Sequence, residues 1–148
     1  MRLAIACLED DSLTNAGAGA NLTADGRVEC DACIMEGRHG ASGGVGAVQG
    51  VRNPIAAAHA VMRNARQGLG DLGLVPPTLL CGAGAHAFAR AHGLAVGAPD
   101  DDAFLVTSAA RARWGSHGER LRRYRAERGG AGGPPSPFPV LTGQVSSL

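Results

Sequence analysis

Several groupings in this 148-residue chain carry side chains that chemistry needs. Cys30 and Cys33 form a C-x-x-C pair, a spacing used for metal ligation and dithiol redox work. Gly82-x-Gly84 follows a short apolar run, as half of a dinucleotide-binding fingerprint does. Arg111, Arg113, Arg120, Arg122, Arg123, Arg125 and Arg128 crowd one segment and offer charge to a polyanion. His39 sits in a polar loop. Thr14, Thr23, Thr78, Thr107 and Thr142 supply hydroxyls. Leu8 to Gly37 (LEDDSLTNAGAGANLTADGRVECDACIMEG) packs acids, turn formers and an apolar run together with almost no spacer.

The elements that must position these residues rule several of them out. If Val28 to Met35 is a strand, the odd spacing sends Cys30 and Cys33 to opposite faces, which separates a metal or redox pair. No second C-x-x-C and no His-x-x-x-His accompanies them, so the cysteines (7, 30, 33 and 81) read as small buried thiols in a reducing compartment. The glycine fingerprint lacks its third glycine, with Ala87 in that place, and no acid ends a following strand at the required distance. His39 reads as a solvated loop residue. The arginine segment reads as a solvated face or tail, with nuclear import or nucleic-acid binding as the functional alternative. Only Trp114 and Tyr124 interleave it, too few for a base-stacking surface.

Composition sets the class. Hydrophobic residues are 45%, aromatic residues 3%, glycines 23 and net charge +1. Such a chain has material for one core built from Ala, Val, Leu and Ile, and it is no obvious polyelectrolyte partner. No apolar run reaches spanning length, so no membrane helix is expected. Glu9-Asp10-Asp11 interrupts the opening apolar residues too early for a secretory leader. Asn21-Leu22-Thr23 is an acceptor triplet without that leader. A cytoplasmic or nuclear location is expected.

In order, Leu3 to Leu8 reads as the end of a helix. Asn15-Ala16-Gly17-Ala18-Gly19 is a tight turn. Asp25-Gly26 signals a hairpin turn, and Val28 to Met35 a strand. Arg38 to Gly43 reads as loop, and Gly44 to Val51 as a strand packed closely on another layer. Asn53-Pro54 reads as cap and first residue of a helix running to Arg66, with Ile55, Ala58, Val61 and Met62 on one face and His59 and Arg63 off it. Gln67 to Leu74 is a glycine-rich connector. Thr78 to Cys81 is a short strand, and Gly82-Ala83-Gly84 turns into a helix from Ala85 to His92 closed by Gly93. Asp100-Asp101-Asp102 suits the amino end of the next helix. The expected division is a core over 1–102, a basic helical or flexible segment over 103–128 and a Gly/Pro-rich linker and tail over 129–148. The fold class is α/β (α+β).

LEDDSLTNAGAGANL, RVECDACIMEG and GGVGAVQGVRNPI, in that order, resemble the α half of type-2 asparaginases, which are amino-terminal-nucleophile hydrolases with an αββα sandwich. Within that family the chain looks most like threonine aspartase. The glycine-rich insertion before Val75-Pro76-Pro77, the helix GAGAHAFARAHGL and the basic segment after Phe104 carry that finer likeness. The resemblance implies a precursor that cleaves itself before a Thr. The freed Thr amine then serves as base for its own hydroxyl, and an oxyanion site stabilises acyl transfer. For threonine aspartases it implies cleavage of proteins after Asp.

Parts of that pattern are absent. None of the threonines follows Gly or Asp, and none precedes Val-Gly, as the self-cleavage Thr does. On this resemblance the first strand of the fold and the β half are expected to be absent from the chain. The expectation is therefore an incomplete sandwich without catalytic residues, inactive alone. Its partners would be a β half of the same precursor or a full-length homologue, with dimerisation of αβ units and a protein substrate, and without membrane or nucleic acid. The resemblance also implies a structural sodium held by the backbone carbonyls of Leu8, Glu9, Asp11, Thr14, Ala16 and Ala18, and no other cofactor; turn carbonyls suit a hard cation. It places Asn15 beside the nucleophile, whereas the residue type alone reads equally as a turn former. Asp31 reads as a structural acid. Two other roles stand as alternatives: the α part of an L-asparaginase/isoaspartyl peptidase, and a non-catalytic fragment that binds a full-length partner.

Overall fold

A computed structural model describes residues 2–98 and 103–129. These described residues fall into two compact units, divided between Gly115 and Ser116. In the first, α1 (Arg2–Asp10) leads through a long loop to β1 (Cys30–Met35) and β2 (Ser42–Val48). Helix α2 (Pro54–Ala65), β3 (Leu79–Cys81) and α3 (Gly82–Ala91) follow, and α4 (Ser108–Gly129) begins before the boundary. The sheet order is β1-β2-β3, with β1 and β2 antiparallel and β2 and β3 parallel. The result is a small α/β arrangement of three strands and four helices among the described residues.

The core lies between this sheet and α2. Ile55, Ala58, Val61 and Met62 are 1%, 0%, 0% and 6% exposed, so the helical stripe faces inward as its spacing predicts. Val45, Val48 and Cys30 meet it from the sheet. The layers touch at Gly43, where an added Cβ would stand 2.3 Å from the Met62 nitrogen. That close approach falls one residue before the expected strand, which runs from Ser42 to Val48 rather than from Gly44 to Val51. Val51 instead makes an isolated bridge to Val96. Strand β1 starts at Cys30 rather than Val28, although Val28 is fully buried.

Helix ends depart from expectation in instructive ways. Asn53 makes no side-chain cap to α2; its amide instead reaches the Ala6 carbonyl (3.4 Å) and Asp10 (3.3 Å). Helix α3 takes Gly82-Ala83-Gly84 into its first turn. It closes as predicted, with Gly93 at φ +68° and bonds from Gly93 N to Arg90 O (3.0 Å) and from Leu94 N to Ala89 O (3.1 Å). This double bond pattern satisfies the last carbonyls. Thr107 caps α4, its hydroxyl accepting the Ala110 N–H at 3.1 Å. The expected cap, Asp100-Asp101-Asp102, lies outside the described residues, as does the tail beyond Gly129.

No helix among the described residues covers the second face of the sheet. Asp31, Cys33 and Met35 alternate onto it from β1, and Leu79 and Cys81 from β3. Met35 and Leu79 are 68% and 60% exposed. Only Cys30 of the four thiols is buried. The expectation of buried thiols therefore fails for Cys33 and Cys81, which sit on the uncovered face, and for Cys7 on α1. No helix among the described residues is long and apolar enough to cross a membrane.

Candidate functional site

The loop between α1 and β1 is braced from every side. Its hub is Glu9, which shares the inner face of α1 with Arg2, Ile5 and Ala6 at helical spacing and is 3% exposed. The Glu9 carboxylate accepts the Ile55 N–H at 2.8 Å and so caps α2 in place of Asn53. Its other oxygen is buried without a hydrogen-bond partner among the described residues. Burial pushes this carboxyl up from the usual range; the Ile55 amide and the nearby Asn53 amide oppose that, and Asp10 reinforces it. Asp10 in turn accepts Arg52 Nε at 2.9 Å.

The Glu9 backbone carbonyl accepts the Ala18 N–H at 2.8 Å. This contact forces Gly17 (φ +54°), since a Cβ there would lie 2.4 Å from that same oxygen. Asn15 is exposed, and its Oδ1 accepts the Asn21 N–H at 2.8 Å, closing the turn. Asp11 accepts the Leu13 N–H at 2.9 Å. The Thr14 hydroxyl faces two carbonyls at once, those of Leu8 and Asp11. Each of these carbonyls also accepts a backbone N–H, Leu8 from Asp11 at 3.3 Å and Asp11 from Thr14 at 3.1 Å. Leu8, Glu9, Asp11 and Thr14 are thus drawn together, and Ala16 and Ala18 follow in the same turn.

The far end of the loop is held by residues whose roles the sequence did not reveal. Gly19 donates to the Leu105 carbonyl at 2.9 Å, and Arg113 donates to the Gly19 carbonyl at 3.1 Å. The Trp114 indole N–H reaches the Thr23 carbonyl at 3.0 Å. The Trp114 ring lies 3.3 Å from where a Gly26 Cβ would stand. Asp25-Gly26 is indeed a turn, closed by Gly26 N to Thr23 O (2.9 Å), but no strand ladder flanks it. An acid on the inner stripe of α1 was the signal for Glu9. A Thr directly before a helix-forming run was the signal for Thr107. Trp114 had no local signal beyond being the single tryptophan.

Asp31 is structural, as its residue type suggested. It accepts the Ala47 N–H at 2.7 Å across a bulge between β1 and β2, where Ala47 takes φ +47°. Cys30 and Cys33 do lie on opposite faces, and no group of three or more metal-ligating side chains occurs among the described residues. Burial pushes the Cys30 thiol up, with the Gly17 amide opposing and Glu9 and Asp31 reinforcing. His39 contacts Glu36 at 3.3 Å in an exposed loop. In the second unit, the described residues 116–128 present Arg120, Arg122, Arg123, Arg125 and Arg128 to solvent, with Arg128 over the Tyr124 ring at 5.1 Å.

Comparison with known proteins bears directly on this loop and sheet. A family profile described as asparaginase (Asparaginase_2) matches residues 1–131. A plant-type L-asparaginase of Pyrococcus furiosus is 39% identical over 126 residues, covering 85% of this chain and 35% of that protein. An isoaspartyl peptidase of Salmonella typhimurium is 40% identical over 97 residues, 66% of this chain and 28% of that protein. A human isoaspartyl peptidase/L-asparaginase is 41% identical over 91 residues, 62% of this chain and 26% of that protein. The chain spans about a third of the length of the Pyrococcus relative. With the braced loop and the one-sided sheet, these matches assign the chain to the type-2 asparaginase family.

Proposed function

We propose that this chain forms the α portion of an L-asparaginase/isoaspartyl peptidase, completed by a β half that begins with the nucleophilic Thr. One observation carries the reading: the described residues of a family member leave its sheet bare on one face. That face is floored by Gly44 and Gly46, where Cβ atoms would meet Leu79 Cδ1 (3.1 Å) and Cys81 Sγ (3.2 Å). Exposed Met35 and Leu79 make it apolar, which suits a second sheet completing an αββα sandwich. In this reading Asn15 stands beside the nucleophile and the loop holds it there. The reaction is acyl transfer to the Thr hydroxyl followed by hydrolysis, with the Thr amine as base. No Thr of this chain has the self-cleavage context, so the chain alone is inactive.

The turn also fits the proposed sodium. The Leu8 and Asp11 carbonyls converge on the Thr14 hydroxyl, and a carbonyl that accepts one N–H keeps a second lone pair for a hard cation. Leu8, Glu9, Asp11, Thr14, Ala16 and Ala18 would hold it through backbone oxygens. Its contribution would be to stiffen the loop, with no part in bond making. A cytoplasmic or nuclear location belongs to the same proposal and is supported by four free thiols.

A second reading, the α portion of a threonine endopeptidase cutting after Asp, rests on Pro76-Pro77 and the arginine-rich helix. The relatives' names fit the first reading better. The test mixes the chain with a β half beginning at its Thr. L-asparagine, an isoaspartyl dipeptide and a protein with an Asp-Gly site are then offered. Ammonia from asparagine or release from the dipeptide supports the first reading. Cleavage of the protein alone supports the second. Turnover of any of them by the chain without a β half overturns the claim of inactivity.

A further inference from the structure

Away from the loop and the bare sheet face, a cavity of about 300 Å³ lies where α1, α2 and the end of α3 meet. Arg2 enters it from α1, His59 and Arg63 from α2 and His92 from the residue after α3. His59 and Arg63 are four residues apart and so share one helix face. Ala56 and Ala60 on the same helix are small and leave the space open, and Asn64 and Gln67 add amide groups to the rim. No carboxylate among the described residues lines the cavity. Neither Arg2 nor Arg63 pairs with an acid among the described residues. His92 is fixed: its ring stacks on Phe88 at 3.9 Å, and its Nδ1 bonds the Phe88 carbonyl at 2.9 Å. A carbonyl only accepts, so Nδ1 carries the hydrogen and Nε2 is left for another partner.

Like charges gathered around a cavity without counter-charge are unfavourable unless an anion joins them. Arginine guanidinium groups match the planar forks of carboxylate and phosphate. We propose that Arg2, His59, Arg63 and His92 form a binding site for a small dianionic oxyanion, of the phosphate or dicarboxylate type. The charged and titratable groups facing His59 are Arg2 from α1, Arg63 from its own helix and His92 after α3. Burial, then Arg2, then Arg63 hold the His59 imidazole below its ordinary value. A bound dianion reverses the influence of the two arginines, so binding takes up a proton at His59 and, for an anion that stays doubly charged, tightens as pH falls.

The experiment uses the full chain in sodium phosphate, sodium succinate or sodium chloride at matched ionic strength. Thermal midpoints are read at pH about 6 and about 8, on either side of the histidine range, and the His59 ring is followed by NMR titration. Phosphate should raise the midpoint over chloride at pH about 8, where it is the dianion. It should also move the His59 midpoint upward. Arg63→Gln should abolish both effects. Succinate acting like phosphate assigns the site to dianions in general, and succinate without effect assigns it to phosphate. Equal behaviour in all three salts, or retention of both effects in Arg63→Gln, overturns the site. Should Arg63→Gln fail to fold, the His59 titration in the native chain decides alone.

Discussion

The Glu9 carboxylate caps helix α2 by accepting the Ile55 N–H at 2.8 Å across 46 positions of sequence. One acid thereby ties the helix before the loop to the helix behind the sheet. Glu9→Ala should cost about 2 kcal/mol, from a lost cap and an unsatisfied buried donor. Glu9→Gln, which keeps an acceptor, should cost less. The pH dependence has a definite sign. Glu9 binds its proton more tightly in the folded state, so its share of stability falls as pH rises through the raised value. Urea midpoints against pH should therefore show the native chain gaining stability relative to Glu9→Gln on acidification through that window. Parallel curves for the two proteins would refute it.

Gly43 is where the sheet touches α2. A methyl group there would meet the Met62 nitrogen and the Ala58 carbonyl, at 2.3 and 2.5 Å, and backbone cannot step aside as a side chain can. Gly43→Ala should cost about 3 kcal/mol by chemical denaturation. Gly37→Ala, with nothing within 4 Å, should be near neutral.

Trp114 pins the loop's far end by its indole N–H on the Thr23 and Ala24 carbonyls, 3.0 and 3.3 Å away. Trp114→Phe keeps a ring and loses those bonds, at a cost of about 1 kcal/mol. Amide exchange at Gly26 and Arg27 should quicken while exchange in α2 stays slow. Unchanged exchange at Gly26 would remove Trp114 from this role.

Thiol reactivity should report on the bare sheet face. In the isolated chain, Cys7, Cys33 and Cys81 should react quickly and Cys30 slowly, because burial shields it and disfavours its thiolate. Adding a β half should protect Cys33 and Cys81 and leave Cys7 reactive. Cys33 and Cys81 labelling at the same rate with the β half bound would show that this face is not the one covered.

The cation prediction is read as a difference between salts. Melting midpoints should be higher in sodium than in potassium chloride at equal ionic strength, and Thr14→Val should keep that difference, because backbone oxygens are the proposed ligands. Identical midpoints in the two salts would count against sodium at this turn.

The sequence alone determined what repeats locally. Ile55, Ala58, Val61 and Met62 are legible as an inward stripe because helical period is a property of neighbours along the chain. Gly93 is legible as a stop because only backbone freedom distinguishes it. LEDDSLTNAGAGANL and the two blocks after it carry the family, since so many turn and strand demands in one order are specific. Tertiary structure decided the rest. Asn53 has the residue type of a cap, yet Glu9 takes the cap, because α1 brings a buried carboxylate to the amino end of α2. Ala47 adopts φ +47° against its own preference because the Asp31 carboxylate holds its N–H at 2.7 Å. Cys33 and Cys81 became exposed because the described helices cover one side of the sheet only. Each of these outcomes depends on groups far apart in sequence, whose meeting is set by packing rather than by local pattern.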